Sequence, residues 1–317
     1  MGAVCVPIEP MNAVLSAEER SSIQSQKITA ILAFLSVYVI WGSTYFAIRI
    51  AVATVPPFLA AGLRFTLAGA FLFAYALIRR TTLPTSIEWR NLAISALLLF
   101  VPAYGGLFWA EKTVPSGIAS ALVATIPVWM ALMEVFVLRQ TRLRWQLVAS
   151  LLCGMSGVAL LTLKGVSGGS HSLLPYMVML MSQISWSVGT LMTKNMRLPA
   201  SKVLRSAAQM GLGGLMLMLL SVGAGELRPI PHISMTAWWA IIYLTIAGSI
   251  IGFTAYVWLL GHYPATTVGS YAYVNPVVAL ALGYWFGHES LDWRVFAGTL
   301  LVLVGVVLIL RGNRGTH

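Results

Sequence analysis

The 317-residue sequence predicts an all-α membrane protein of ten transmembrane helices, arranged as two inverted-topology five-helix repeats. Three observations carry that expectation. Hydrophobic residues make up 58% of the chain and charged residues only 9%, where a soluble chain carries about a quarter charged. Apolar stretches of about 20 residues, the length that crosses hydrocarbon as a helix, recur from end to end. Landmarks of the first half also return in the second. Trp41, Arg49, Arg64 and Gly69 are answered by Trp186, Lys194, Gln209 and Gly214, each 145 positions later. Trp109, Pro115 and Pro127 are answered by Trp258, Pro264 and Pro276 at 149, and Gly157 by Gly305 at 148.

The spans are expected at 29–51, 57–78, 91–110, 115–138, 145–163, 173–194, 202–222, 237–260, 265–286 and 293–310. The first turns small and polar around Trp41-Gly42-Ser43-Thr44-Tyr45. The second carries Arg64 near its start, and the third holds Pro102, Tyr104, two glycines and Trp109 before ending at Glu111. The fourth opens at Pro115 and has Pro127 in mid-span; the fifth offers a small-xxx-small surface of Ser150, Cys153, Gly154 and Gly157, suited to close helix contact. Residues 165–172 are a Gly/Ser linker. The linker matches a nucleophile-elbow spacing at Gly165, Ser167 and Gly169, but that motif needs a strand before it and a helix after, so an esterase is set aside. The domain division is a tail 1–27, a first repeat 28–164, the linker, a second repeat 173–311 and a tail 312–317.

A net charge of +11 invites a nucleic-acid reading, but its distribution argues otherwise. With the N-terminus inside, the inner segments hold 14 Lys and Arg residues and the outer loops 4, which is the positive-inside pattern. Both termini are then cytoplasmic. Five spans per repeat is an odd number, so the second repeat enters the membrane from the opposite side. Inverted repeats around a midplane site are a recurring transporter architecture. The polar first 27 residues have no apolar h-region, so no cleaved signal peptide is expected. Cys5 and Cys153 form no disulfide framework.

The stretch Ser270-Tyr271-Ala272-Tyr273-Val274-Asn275-Pro276 concentrates the chemistry. A proline in mid-helix frees a carbonyl and kinks the rod, and an asparagine in hydrocarbon is costly unless it faces protein or water. By helix rise, Trp41, Tyr104, Pro127, Trp186, Tyr273 and Asn275 lie about 15 to 21 Å into their spans, near the middle of the bilayer. Mid-depth aromatics line a cavity or fill the space between helices. We take Trp41, Tyr45, Tyr104, Trp186, Tyr273 and Asn275 as substrate-binding candidates, with Pro127 and Pro276 shaping gate helices. Arg64 and Glu111 are the intramembrane charges; they are placed to pair at an outer gate, or else to snorkel to the surface. Arg49 is expected to reach the surface. No acid is placed at mid-depth, so the residues do not support proton coupling, and no Cys/His/carboxylate cluster has metal-ligand spacing.

The segments Tyr38–Phe46, Gly62–Phe65, Val114–Ala119, Ile184–Trp186, Ser270–Val278 and Gly287–Leu291 together resemble the EamA family of the drug/metabolite transporter superfamily, over about residues 28–311. The resemblance implies a ten-helix inner-membrane permease with its substrate held between the two repeats. One departure stands out: where the family often closes span four with Gly-Glu, this chain reads Leu138-Arg139-Gln140, while Glu289 is kept after span nine. The expected function is a secondary transporter exporting amino acids or similar small metabolites by alternating access. The alternatives are a passive channel and an integral-membrane enzyme, the latter lacking an intramembrane nucleophile–base pair. The expected partners are a small-molecule substrate and the lipid bilayer, with no nucleic acid, no cofactor and a monomeric chain.

Overall fold

The computed structural model describes residues 17–139, 145–167, 172–194, 196–228, 232–263, 268 and 271–312. Among them the chain forms helices and no strand. Helix α1 runs through Ala17–Leu35, a π-helical turn Ser36–Ile40 and Trp41–Val52; α2 is Pro57–Ile78. Helix α3 runs through Ser86–Phe100, a π-helical Val101–Gly105 and Gly106–Ala110. Helix α4 is two pieces, Ser116–Val123 and Ile126–Phe136; α5 is Trp145–Ser167, α6 Leu174–Lys194 and α7 Lys202–Gly223. Helix α8 runs through Met235–Tyr243, a π-helical Leu244–Ile251 and Gly252–His262; α9 is Tyr271–Gly287 and α10 Trp293–Gly312.

Local chemistry sets the starts. Thr85 and Glu88 close a capping box at α3, which begins the helix five residues before the apolar run does. Ser201 and Ser234 accept from Leu204 and Ala237 at the starts of α7 and α8, and Asp292 accepts from Arg294 and Val295 at α10. Two helices begin beside a proline and borrow a carboxylate from elsewhere. Glu226, just beyond α7, accepts from the Phe58 and Leu59 amides of α2 at 3.2 and 3.0 Å. Glu289, just beyond α9, accepts from the Ser116 amide and hydroxyl of α4, both at 2.8 Å, and from Gly117 at 3.2 Å. A carboxylate on the first amides of a helix meets orphan donors and the positive end of the helix dipole.

Pro127 does not kink a continuous helix, as its mid-span position suggested. The rod breaks at Ala124–Thr125, and Pro127 sits in the first turn of the second piece, where no amide donor is needed. The Thr125 hydroxyl donates to Leu122 O at 2.6 Å and accepts from Trp129 Nε1 at 3.1 Å, closing the break.

Two helix pairs form the tightest seams. Along α2 and α7, Gly69 lies against the Gly211 backbone and Gly214 against Thr66, with no room for a Cβ. Along α5 and α10, Gly157 meets Gly298 O, and the Ser150 hydroxyl donates to Gly305 O at 2.6 Å. The small surface expected on α5 is therefore used, and α10 is what it packs on. In each seam a helix packs on its own sequence counterpart from the other half of the chain.

Six helical stretches, Gln24–Val52, Pro57–Ile78, Ser86–Ala110, Ser116–Phe136, Lys202–Gly223 and Met235–Leu259, are long and apolar enough to cross a membrane. Shorter apolar helices occupy Leu147–Leu161, Val274–Gly287 and Trp293–Leu308. Helix α6 is less apolar because its polar side chains turn inward: Ser182, Gln183 and Ser187 are buried. On the outer surface, Phe71, Leu219, Trp239 and Trp285 are each more than half exposed, as expected of a surface bathed in lipid and not in water. The chain is an all-helical membrane protein.

Candidate functional site

The π-helical segments of α3 and α8 position the interior groups. A wider turn releases backbone carbonyls from their regular partners, and such segments cluster at functional sites. In α3, Pro102 also has no amide to give to Leu98 O. The hydroxyl of Ser185 supplies the bond at 2.9 Å, and Ser182 donates to Pro102 O at 2.9 Å, so α6 satisfies the irregular turn of α3. In α8, Gly248 O accepts from Trp41 Nε1 at 3.1 Å. Ser249 Oγ donates to Leu244 O at 3.1 Å and accepts from Arg64 Nε at 2.9 Å, so α1 and α2 satisfy the irregular turn of α8.

Around these turns the rings form two groups. Trp41 packs on Tyr256 and edge-on to Tyr271, each with centroids 5.0 Å away. Tyr104 packs on Phe65 at 4.5 Å, stacks on Phe100 at 5.6 Å and meets Trp186 edge-on at 5.5 Å. Trp41 and Trp186, counterparts by sequence, thus each anchor one aromatic group. The Arg64 guanidinium lies 4.7 Å from the Phe65 ring centre and 5.7 Å from that of Tyr104, a cation–π arrangement. Tyr45 is buried.

Arg64 and Asn275 are each only 4% exposed, and each holds a polar atom without a partner among the described residues, Nη1 of Arg64 and Oδ1 of Asn275. Unsatisfied buried polar atoms of this kind call for an explanation. Pro276, one residue on, sits inside α9 and leaves the Ala272 carbonyl without its helical donor.

Several expectations change. Arg64 does not snorkel: it is bonded inward to Ser249. Glu111 is wholly buried rather than at the surface, and neither of its oxygens has a hydrogen-bond partner among the described residues, Arg64 included. Arg49 reaches the surface in part, its side chain 34% exposed, while donating to Val114 O at 2.9 Å and standing 3.5 Å from Glu289. The backbone of Tyr273 is helical, but its side chain lies outside the described ones. Tyr271 is the ring that meets Trp41. The sequence held the signal: Tyr271 and Asn275 are four apart and share a helix face, whereas Tyr273 is two away from Asn275 and does not. Gly248 and Ser249 gave no such signal, because a π-helical turn has no composition of its own.

Among the described residues, no group of three or more His, Cys, Asp or Glu side chains is placed to hold a metal. A separate groove of about 420 Å³ opens between α1 and α8, lined by residues that include Ser43, Phe46, Trp239 and Tyr243. None of the expected site residues lines it.

Comparison with known proteins agrees with this architecture. The EamA-like transporter family matches residues 28–163 and again 173–311. The chain is 37% identical over 286 residues to the uncharacterized inner membrane transporter YedA of Escherichia coli K12, covering 89% of this chain and 90% of that one. It is 28% identical over 288 residues to a probable amino-acid metabolite efflux pump of Salmonella typhimurium, covering 88% and 94%. A solved structure described only as a crystal structure of a protein shares the fold, with a TM-score of 0.61 at 22% identity over 91% of this chain and 99% of that one. This chain is therefore a member of the EamA-like transporter family.

Proposed function

We propose that the protein is a secondary transporter of the cytoplasmic membrane that exports amino acids or similar small metabolites by alternating access. Its two five-helix halves, 28–164 and 173–311, are inverted relative to each other, and both termini are cytoplasmic. The substrate binds between the halves, against Trp41, Tyr45, Tyr104, Trp186 and Asn275, with Tyr271 added to the set and Tyr273 kept from the sequence reading.

The observation that carries the proposal is two buried polar atoms without a partner among the described residues, Arg64 Nη1, against the Phe65 and Tyr104 rings, and Asn275 Oδ1, inside a lipid-facing shell. Their chemistry suits a small ligand with both apolar and hydrogen-bonding parts. Bonds between corresponding helix pairs in the two halves support the repeat. Arg64 of α2 bonds Ser249 of α8, and its counterpart Gln209 of α7 bonds Ser95 of α3 at 2.8 Å. The positive-inside charge distribution supports the orientation, and the name of the Salmonella relative supports the substrate class.

The test is uptake of labelled amino acids into inside-out vesicles from an overexpressing strain. Saturable uptake with counterflow, lost in Trp186→Ala and Asn275→Ala, is expected. Flux that does not saturate and shows no counterflow would make the protein a channel.

A further inference from the structure

Among the described residues, Glu111 is a buried acid that the transport reading leaves without a task. It follows directly on the last turn of α3, its amide bonded to Leu107 O at 3.0 Å, and its side chain is fully enclosed. Both carboxyl oxygens lack a hydrogen-bond partner among the described residues. A buried carboxylate is ordinarily held by several donors, and without them the neutral acid is the form that burial tolerates.

The charged groups that face it are already engaged. Its electrostatic neighbours are Glu289, Arg49 and Arg64. From α1, the Arg49 guanidinium is directed to Val114 O and Glu289. From beyond α9, the Glu289 carboxylate is taken up by Ser116 and Gly117. From α2, Arg64 is bonded to Ser249 and packed on the Phe65 and Tyr104 rings. Of the phenols, Tyr45 on α1 faces it, while Tyr104 on α3 and Tyr243 on α8 lie near Arg64 and Tyr176 on α6 near Arg49. The Tyr176 hydroxyl, also buried, has no bonding partner among the described residues.

We propose that Glu111 is a proton-binding site linked to the substrate site, holding a proton from water more tightly when a substrate carboxylate occupies Arg64. The inference rests on the transport reading. Its electrostatic logic is charge balance. Ionised, Glu111 is the nearby negative charge that offsets Arg64; protonated, it leaves Arg64 unopposed and open to an anionic group. Each ligand then strengthens binding of the other, as linkage requires.

Infrared spectroscopy of the purified protein tests this by following the C=O stretch of protonated carboxyl groups across pH. At neutral pH exposed carboxylates are ionised, so a protonated band there is expected in the wild type, lost in Glu111→Gln and retained in Glu111→Asp. Adding leucine should make that band persist to higher pH in the wild type and change nothing in Glu111→Gln. Spectra identical in wild type and Glu111→Gln at every pH would overturn the proton site, whatever the protein transports. A Glu111-dependent band that leucine does not move, in vesicles that do transport leucine, would overturn the linkage. The same band in vesicles that move no amino acid would uphold the proton site and overturn the substrate reading.

Discussion

Arg64 donates from Nε to Ser249 Oγ at 2.9 Å, tying α2 to the irregular turn of α8. The residue 145 positions later, Gln209, makes the corresponding bond from α7 to Ser95 of α3 at 2.8 Å. One side chain is charged and the other neutral, so the two bonds should differ in strength though not in role. Ser249→Ala strips a buried guanidinium of a partner and is expected to cost about 1.5–3 kcal/mol, against about 0.5–1.5 kcal/mol for Ser95→Ala. Denaturant unfolding of both variants in detergent micelles measures the difference.

Glu289 should matter more than the ion pair it forms. Its bonds to Ser116 and Gly117 cap α4, and its side chain is 8% exposed, whereas that of Arg49 is 34% exposed. Glu289→Ala is expected to destabilise by about 2–3 kcal/mol through the lost charged hydrogen bonds. Arg49→Ala should cost about 1 kcal/mol or less, since a partly solvated pair is screened. Thermal unfolding of the two single variants ranks them.

Two glycines three residues apart on α5 should respond in opposite ways. A Cβ at Gly157 would come within 2.6 Å of Gly298 O and 2.8 Å of a Val302 methyl, whereas one at Gly154 meets nothing within 4 Å. Gly157→Ala is expected to push α5 from α10 at a cost of about 1–3 kcal/mol. Gly154→Ala should be neutral or stabilise by about 0.5 kcal/mol, as removing a helical glycine generally does. Unfolding midpoints of the two variants, measured side by side, check this.

The all-helical membrane class was legible because a membrane leaves a coarse signature. Long apolar runs and a low share of charged residues survive in composition alone. The site was legible only in part. Trp41, Tyr104 and Trp186 stood out as aromatic residues away from the ends of their spans, and each packs against other rings. What the sequence withheld depends on rotation and backbone irregularity. Arg64 and Glu111 turn inward because neighbouring helices offer Ser249 or close over the side chain. Whether Pro127 kinks a helix or starts one depends on a break at Ala124–Thr125 that no residue there announces.

Transport should depend on the interior rings and not on the peripheral groove. Trp186→Ala removes the ring that meets Tyr104 edge-on, and Asn275→Ala removes a buried polar atom. Each is expected to lower the transport rate at least about tenfold, equivalent to about 1.4 kcal/mol. Trp239→Ala, on the groove between α1 and α8, should leave transport unchanged. Initial rates of labelled amino-acid uptake into inside-out vesicles, normalised to protein amount, give the comparison.

The most direct measurement is two-sided access to position 275. Asn275→Cys is made with Cys5 and Cys153 replaced by serine, and a membrane-impermeant maleimide is applied to whole cells and to inside-out vesicles. Labelling from both sides, with a ratio that shifts when an amino acid is added, is the result expected of a substrate site opened alternately to each face. Labelling only by a lipid-soluble maleimide, or from one side under every condition, would contradict a central site and the alternating-access account with it.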